Sequence, residues 1–309
     1  MDSYYDLKDI PSTDSRYCLL IGNFDGVHLG HQMLLHTLKE KASKLSCKTA
    51  VFSYQNHPST VLTPETPTLL LSTSLHRVRL MESFGIDLFI LQTFNREFAS
   101  QTPKQFLEKL QKQLPFKHLI LGYDSRIGKG REGKQETVEK LAKEMNFQVS
   151  YLPELKPQGK HVSSTHLRKL LAQGDFKELK QLLGRPYSIL SKIIPGEGKG
   201  RHLGYRTANL DVSSLCLPPY GVYVVHAKIK DHKYKGIANL GVAPTMRKEH
   251  SHVCLEVHIF DYNGDMYGEE AEVTFLHYLR SEQTFASPEE LKLQIKKDIM
   301  EAHRFLEDE

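Results

Sequence analysis

Two rhythms of apolar residues divide the chain. In the first half, short unbroken apolar runs alternate with segments whose apolar residues recur every three or four positions. Cys18-Leu19-Leu20-Ile21 is one such run, and an unbroken run of this length predicts a strand covered on both faces. Met33, Leu34, Leu38 and Leu45 follow at helical spacing. The same alternation predicts strands at Ala50-Val51-Phe52, at 87–91, at 118–121 and from Phe147-Gln148-Val149 onward. It predicts helices at 75–84, from Thr102-Pro103 through Phe106, Leu107 and Leu110, and at 137–145. Pro103 stands at a first helical position, where its missing N–H costs nothing. Strands separated by helices at this interval predict a parallel sheet. Ligands of such sheets bind beyond the carboxyl ends of strands, where Gly22, His57 and Gly122 fall.

Leu183-Gly184-Arg185-Pro186-Tyr187 breaks the helical pattern. Behind it come short alternating runs at 220–229, 234–240, 253–260 and 271–279. Many short strands with turns between them predict a small antiparallel barrel. Asn263-Gly264 reads as a hairpin turn. Ser287-Pro288-Glu289-Glu290 reads as a capping box opening a last helix, with Leu291, Ile295 and Ile299 on one face. The expected organisation is therefore an α/β domain over residues 1–183 and a β-barrel with a C-terminal helix over 184–309.

Composition narrows the class. The 309 residues are 25% charged and 39% hydrophobic, as in folded globular proteins. No apolar run reaches the length of a membrane span, and the N-terminus lacks the features of a secretory signal. The four cysteines are widely spaced without zinc-type pairs, which fits reduced thiols and a cytoplasmic location. A net charge of +4 suits small anionic ligands and does not call for nucleic acid or membrane.

Three stretches carry candidate chemistry. The first is Gly22-Asn23-Phe24-Asp25-Gly26-Val27-His28-Leu29-Gly30-His31. A glycine-rich turn lets backbone approach a ligand, and the following helix start favours phosphate. His28 and His31 share one face if the helix has begun there. The second is Val162-Ser163-Ser164-Thr165-His166-Leu167-Arg168. It reads either as an ordinary capped helix or as a second anion site made of hydroxyls and Arg168. The third, Gly196-Glu197-Gly198-Lys199-Gly200-Arg201, leads to Thr207-Ala208-Asn209. It fits either a flexible hairpin loop or a phosphate loop, with Thr207 and Asn209 offering oxygens to a cation such as Mg²⁺.

These motifs resemble, in order and over nearly the whole chain, those of the bacterial bifunctional riboflavin kinase/FAD synthetases. Gly22 to His31 resembles the first signature of that family, and Ser163-Ser164-Thr165 with Arg168 its phosphate motif. The third stretch, Gly221-Val222-Tyr223, Asn239-Leu240-Gly241, Pro244-Thr245 and Leu255-Glu256-Val257-His258 resemble the kinase signatures. The resemblance implies phosphorylation of riboflavin to FMN by ATP on the barrel, then adenylylation of FMN to FAD on the α/β domain, with Mg²⁺ in both. It implies Glu256 as kinase base and His28 and His31 as catalytic groups of adenylyl transfer. For that transfer it places ATP at Gly22, Phe24, Gly26, His28, His31, Ser164, Thr165 and Arg168, and flavin at Asn23, Asp25, His57, Asp124 and Arg126. For the kinase it places ATP at Gly198, Lys199, Gly200, Arg201, Thr207 and Asn209, the last two also holding the metal. The chain departs from the family at Ser125 and Ile127, where phenylalanines are usual, at Asn56, and at Arg206, where proline is usual.

Overall fold

The apolar runs of the first half lie side by side. A computed structural model describes residues 1–154, 159, 162–196, 204–243, 252–262, 264 and 266–308. Its elements begin β1 (Asp2–Tyr4), β2 (Tyr17–Ile21), α1 (Leu29–Lys44), β3 (Lys48–Tyr54), α2 (Ser59–Leu62), α3 (Ser74–Ser83) and β4 (Leu88–Gln92). They continue α4 (Arg96–Ala99), α5 (Pro103–Gln113), β5 (Phe116–Gly122), α6 (Gln135–Glu144) and β6 (Gln148–Leu152). The six strands form one sheet in the order β1-β4-β3-β2-β5-β6, every pair parallel. β1 is the strand that apolar patterning misses. It is a three-residue edge strand with exposed, polar side chains, so no apolar run marks it.

Successive residues of β2 go to opposite faces, as the strand period requires. Cys18 and Leu20 pack with Leu35 and Leu38 of α1 and Met81 of α3. Leu19 and Ile21 pack with Phe106, Leu107 and Leu110 of α5 and Val138 of α6. Pro103 opens α5 as expected, behind a Thr102–Gln105 capping box. The chain order runs outward from β2 through β3 and β4, then returns to β5 and β6. The carboxyl ends of β2 and β5 therefore flank the point where strand order reverses, the place such sheets keep for ligands.

The chain then gives α7 (Ser164–Gln173), α8 (Phe176–Leu183), β7 (Ser188–Ile194), β8 (Ala208–Asp211), β9 (Gly221–Ile229), β10 (His232–Ala243), β11 (His252–Ile259), β12 (Glu270–Arg280) and α9 (Pro288–Glu307). Gly184 ends α8 in the left-handed conformation, φ 70°. The strands close an antiparallel barrel in the order β10-β11-β8-β7-β12-β9. Ala271, Val273 and Phe275 alternate as buried residues along β12. Two expectations need correction. β11 and β12 do not form a hairpin: β11 pairs with β10 and β8, and β12 with β7 and β9. Asn263 itself lies outside the described residues. The capping box of α9 is half formed. Ser287 accepts from Glu290 N, but the Glu290 carboxylate takes the N–H of Ala286 instead of Ser287. Ala302 and Leu306 of α9 pack on Val222, Val224 and Ile237. Arg280 grips Asp298 with two bonds of 2.9 and 2.7 Å, a fork geometry suited to a buried carboxylate.

Two compact units result. One comprises Met1–Leu70 and Arg77–Ser164; the other comprises Leu71–His76 and Thr165–Glu309. The short segment Leu71–His76 is bound within the second unit by Tyr187 Oη to the Leu71 carbonyl and by Thr73 Oγ1 to the Leu190 carbonyl. There His76 is only 3% exposed, with Nε2 3.7 Å from a Glu272 oxygen that also accepts from Ser188 Oγ. Burial, then the charge of Arg185, push its pKa down to about 3. The contact with Glu272 is thus made by a neutral imidazole and is not an ion pair at neutral pH. Since the unfolded chain protonates this histidine near pH 6.5 and the folded chain does not, stability is lost as pH falls from about 6.5 toward 3. The expected loss through His76 between pH 8 and pH 5 is about 2 kcal/mol. Chemical unfolding of the wild type and of His76→Gln at both pH values checks this. The wild type should lose more by that amount, and equal losses would place the acid sensitivity elsewhere.

Candidate functional site

The turn after β2 is built from the backbone outward. Gly22 N–H continues the sheet to the Phe52 carbonyl, and Phe24 N–H donates to Ser53 Oγ at 3.3 Å. The fully buried Phe24 ring lies under Gly22, where a Cβ would meet it at 3.2 Å. Gly26 and Val27 both have positive φ, 79° and 41°. That conformation is ordinary for glycine and an outlier for a β-branched residue, so the turn holds backbone strain next to the histidines.

His28 does not lie inside the helix, as the shared-face expectation required. It is the N-cap of α1, and its Nδ1 accepts the N–H of His31 at 3.3 Å. Nδ1 is therefore unprotonated and the proton of the neutral ring sits on Nε2. The two imidazoles stack, with centroids 3.7 Å apart and planes 15° apart. Gly30 makes this possible, because a Cβ there would stand 3.2 Å from the His28 ring. Burial, then His28, hold the His31 pKa well below the usual histidine range, so this ring too is neutral. His31 Nδ1 and Asn23 Oδ1 are buried without a hydrogen-bond partner among the described residues. Such orphaned atoms call for a ligand or water.

Asp25, expected at the flavin, is fully buried, and its carbonyl accepts Ser164 Oγ at 3.1 Å. Ser164 opens α7, whose first turns carry Thr165 and Arg168.

Beyond β3, His57 Nδ1 receives Ser59 N–H at 3.2 Å and faces Ser59 Oγ at 2.8 Å. Because Nδ1 accepts the Ser59 N–H it carries no proton, so the Ser59 hydroxyl donates to it while accepting Thr68 N–H. Two donors at Nδ1 leave the His57 proton on Nε2. After β5, Asp124 and Arg126 are exposed. Ser125 is turned inward, its hydroxyl accepting Gly122 N–H. Ile127 is buried in the core with Phe106 and Leu110. The residue standing in place of the second phenylalanine is thus a core residue, and Gly133 closes over it.

On the barrel, Asn209 of β8, Glu256 of β11 and Asn239 of β10 are register partners across three adjacent strands. They therefore share one face. Leu255 and Val257, which flank Glu256, are buried on the other. Asn209 was expected in a loop but stands in β8, 5% exposed, with Oδ1 accepting the Cys254 thiol at 3.3 Å. Its amide fills the space over Gly196, where a Cβ would clash. Cys254 has its pKa raised to about 11, by burial first and the charge of Glu256 second. Arg206 is exposed, while its carbonyl accepts His258 Nδ1 at 2.8 Å. Gly198, Lys199, Gly200, Arg201, Pro244 and Thr245 lie outside the described residues. Among the described residues no cluster of three or more His, Cys, Asp or Glu could hold a metal, and no helix is long and apolar enough to cross a membrane.

A histidine-bearing turn at the switch point of a parallel sheet, joined to a barrel presenting a carboxylate between two carboxamides, defines a two-module protein built to handle phosphate esters. Comparison with known proteins makes this specific. Residues 10–166 match the FAD synthetase family model and residues 183–306 the riboflavin kinase model. The chain belongs to the bifunctional riboflavin kinase/FMN adenylyltransferase family. It is 35% identical to the member from Haemophilus influenzae, over 93% of each chain. It is 33% identical to that from Bacillus subtilis, over 96% of this chain and 94% of the relative. A solved structure described as a macrolide-efflux protein of Streptococcus pneumoniae is 29% identical, covers 98% of each chain and superposes with a TM-score of 0.77.

Proposed function

We propose that this chain makes FAD from riboflavin in two ATP-dependent steps, one on each half, with the functional division at 183/184. In the first, the riboflavin 5′-hydroxyl oxygen attacks the γ-phosphorus of ATP. Glu256 takes the hydroxyl proton, the new O–P bond forms, and ADP leaves with the electrons of the broken bond, yielding FMN. Most of the acceleration in such transfers is alignment and charge stabilisation, and we assign that part to Asn209, Thr207, Gly198, Lys199, Gly200 and Arg201 as the ATP site.

In the second step a phosphate oxygen of FMN attacks the α-phosphorus of another ATP in line, and pyrophosphate leaves. No protein nucleophile is needed. His28 and His31 donate to the charge growing on the leaving group, with Gly22, Phe24, Gly26, Ser164, Thr165 and Arg168 as further parts of the ATP site. Asn23, His57, Asp124 and Arg126 face the flavin phosphate side. The observation that carries this reading is the stacked, neutral His28–His31 pair with a buried orphan nitrogen at the switch point.

Mg²⁺ fits the barrel donors. Thr207 and Asn209 offer neutral oxygens, and the donor that Asn209 Oδ1 now accepts is a thiol, a weak one. When bound, the ion neutralises phosphate charge. The substrates are small molecules, and the four free cysteines suit the cytoplasm.

The test is a time course with purified protein, riboflavin, ATP and Mg²⁺, products separated by chromatography. FMN should appear first and FAD after it, with one ADP and one pyrophosphate per FAD. Absence of FMN removes the kinase assignment. FMN without FAD, including when FMN is supplied, removes the adenylylation assignment.

A further inference from the structure

Arg77, near the start of α3, is fully buried. Arginine is almost never fully buried unless paired, and this one has an unusual set of partners. Its Nη1 donates to the Tyr54 carbonyl and its Nη2 to the Gln55 carbonyl, both at 2.6 Å. These are the last residue of β3 and the one after it. The next residues are Asn56 and His57, the latter with its proton on Nε2. The same guanidinium stands in the field of Asp25, which counters the effect of burial on its charge. Asp25 is itself fully buried, in the turn between Gly22 and His28, and its carbonyl holds Ser164 Oγ.

We propose that Arg77 is a positioning residue for adenylyl transfer, fixing the nucleotide turn through Asp25 and the acceptor-side segment through the Tyr54 and Gln55 carbonyls. In-line attack needs the two phosphates held at near-contact distance, and small misplacements are costly. One rigid cation shared by both walls sets that spacing. The rest of the acceptor segment is stitched to β4: Gln55 N–H bonds the Gln92 carbonyl, and Asn56 exchanges bonds with both the N–H and the carbonyl of Phe94. Arg77 adds an electrostatic link to the turn through Asp25, beside the Gly22–Phe52 and Phe24–Ser53 bonds that join the turn to β3. Only a guanidinium serves here. Its planar fork reaches two successive carbonyls, whereas an ammonium is a point charge without that shape.

This inference rests on the adenylylation reading above, and the experiment separates the two. Steady-state FMN adenylylation and riboflavin phosphorylation are measured on the full chain for the wild type, Arg77→Lys, Arg77→Met and Arg77→Met with Asp25→Asn. Lysine keeps a charge opposite Asp25 and loses the fork. Arg77→Lys should lower kcat for adenylylation at least tenfold and raise the FMN KM several-fold. Its ATP KM should stay within about twofold and its riboflavin phosphorylation should be unchanged. Arg77→Met strands the Asp25 charge and should melt earlier. The double variant should recover its melting temperature while adenylylation stays slow. Wild-type kinetics in Arg77→Lys, or full recovery of adenylylation in the double variant, would show that Arg77 only balances charge, and overturns the proposal. An equal fall of both activities overturns it as well, since that marks general unfolding. A wild type that does not adenylylate FMN at all refutes the reading beneath it instead.

Discussion

His31→Ala is expected to depress conversion of FMN to FAD by roughly a hundredfold or more, the scale for deleting one transition-state donor, and to leave conversion of riboflavin to FMN intact. His28→Ala should do the same with an added cost to stability. His28 is the N-cap of α1 and holds His31 N–H, and loss of a cap costs about 1 kcal/mol. The two effects separate with His28→Ser. Serine restores a good N-cap but its short hydroxyl does not reach where the imidazole Nε2 does. Helix stability should return in His28→Ser while adenylylation stays low. If His28→Ser adenylylates FMN at the wild-type rate, His28 serves as a cap and not as a phosphate donor. Single-turnover assays with FMN and ATP, beside thermal melts of the same preparations, make the measurement. Equal loss of both steps in a folded variant would contradict two separate sites.

The parallel sheet was readable because β2, β3, β4 and β5 are covered on both faces and therefore carry unbroken apolar runs. β1 was not, because an edge strand of Asp2-Ser3-Tyr4 has nothing to bury. β7 and β8 escaped notice for different reasons. β7 follows a proline break, and β8 lies in a stretch whose glycines and basic residues read as loop. The Asn263-Gly264 signal misled because turn chemistry is local, whereas strand pairing in a closed barrel is not. Among the site residues, His28, His31 and Glu256 are marked by their motifs. What the motifs could not convey is that His28 caps α1, that Asp25 faces inward, and that Ile127 belongs to the core. Arg77 left no signal at all. It is one basic residue in an amphipathic segment, and its meaning depends on carbonyls more than twenty positions away that only the folded sheet brings to it.

Glu256→Gln is the counterpart on the barrel. The substitution keeps volume and leaves β11 in register with Asn209 and Asn239, but it removes the carboxylate that stands between the two carboxamides. Cys254, two residues away on the same face, holds its proton at neutral pH with a pKa of about 11. His258, on the same face, is held by the bond from its Nδ1–H to the Arg206 carbonyl. Riboflavin phosphorylation should therefore fall by roughly two to four orders of magnitude, the range for removing a general base. FMN supplied directly should still be adenylylated at the wild-type rate, because His28, His31 and Arg77 are untouched. Glu256→Asp draws the carboxylate back by one methylene and should recover only part of the rate, since the base must lie within hydrogen-bond reach of the hydroxyl. The measurement is initial ADP release with riboflavin, with the FMN-to-FAD rate taken on the same samples. A Glu256→Gln variant that phosphorylates riboflavin normally would make Glu256 a structural member of the barrel wall and return the search for the base to residues outside this strip.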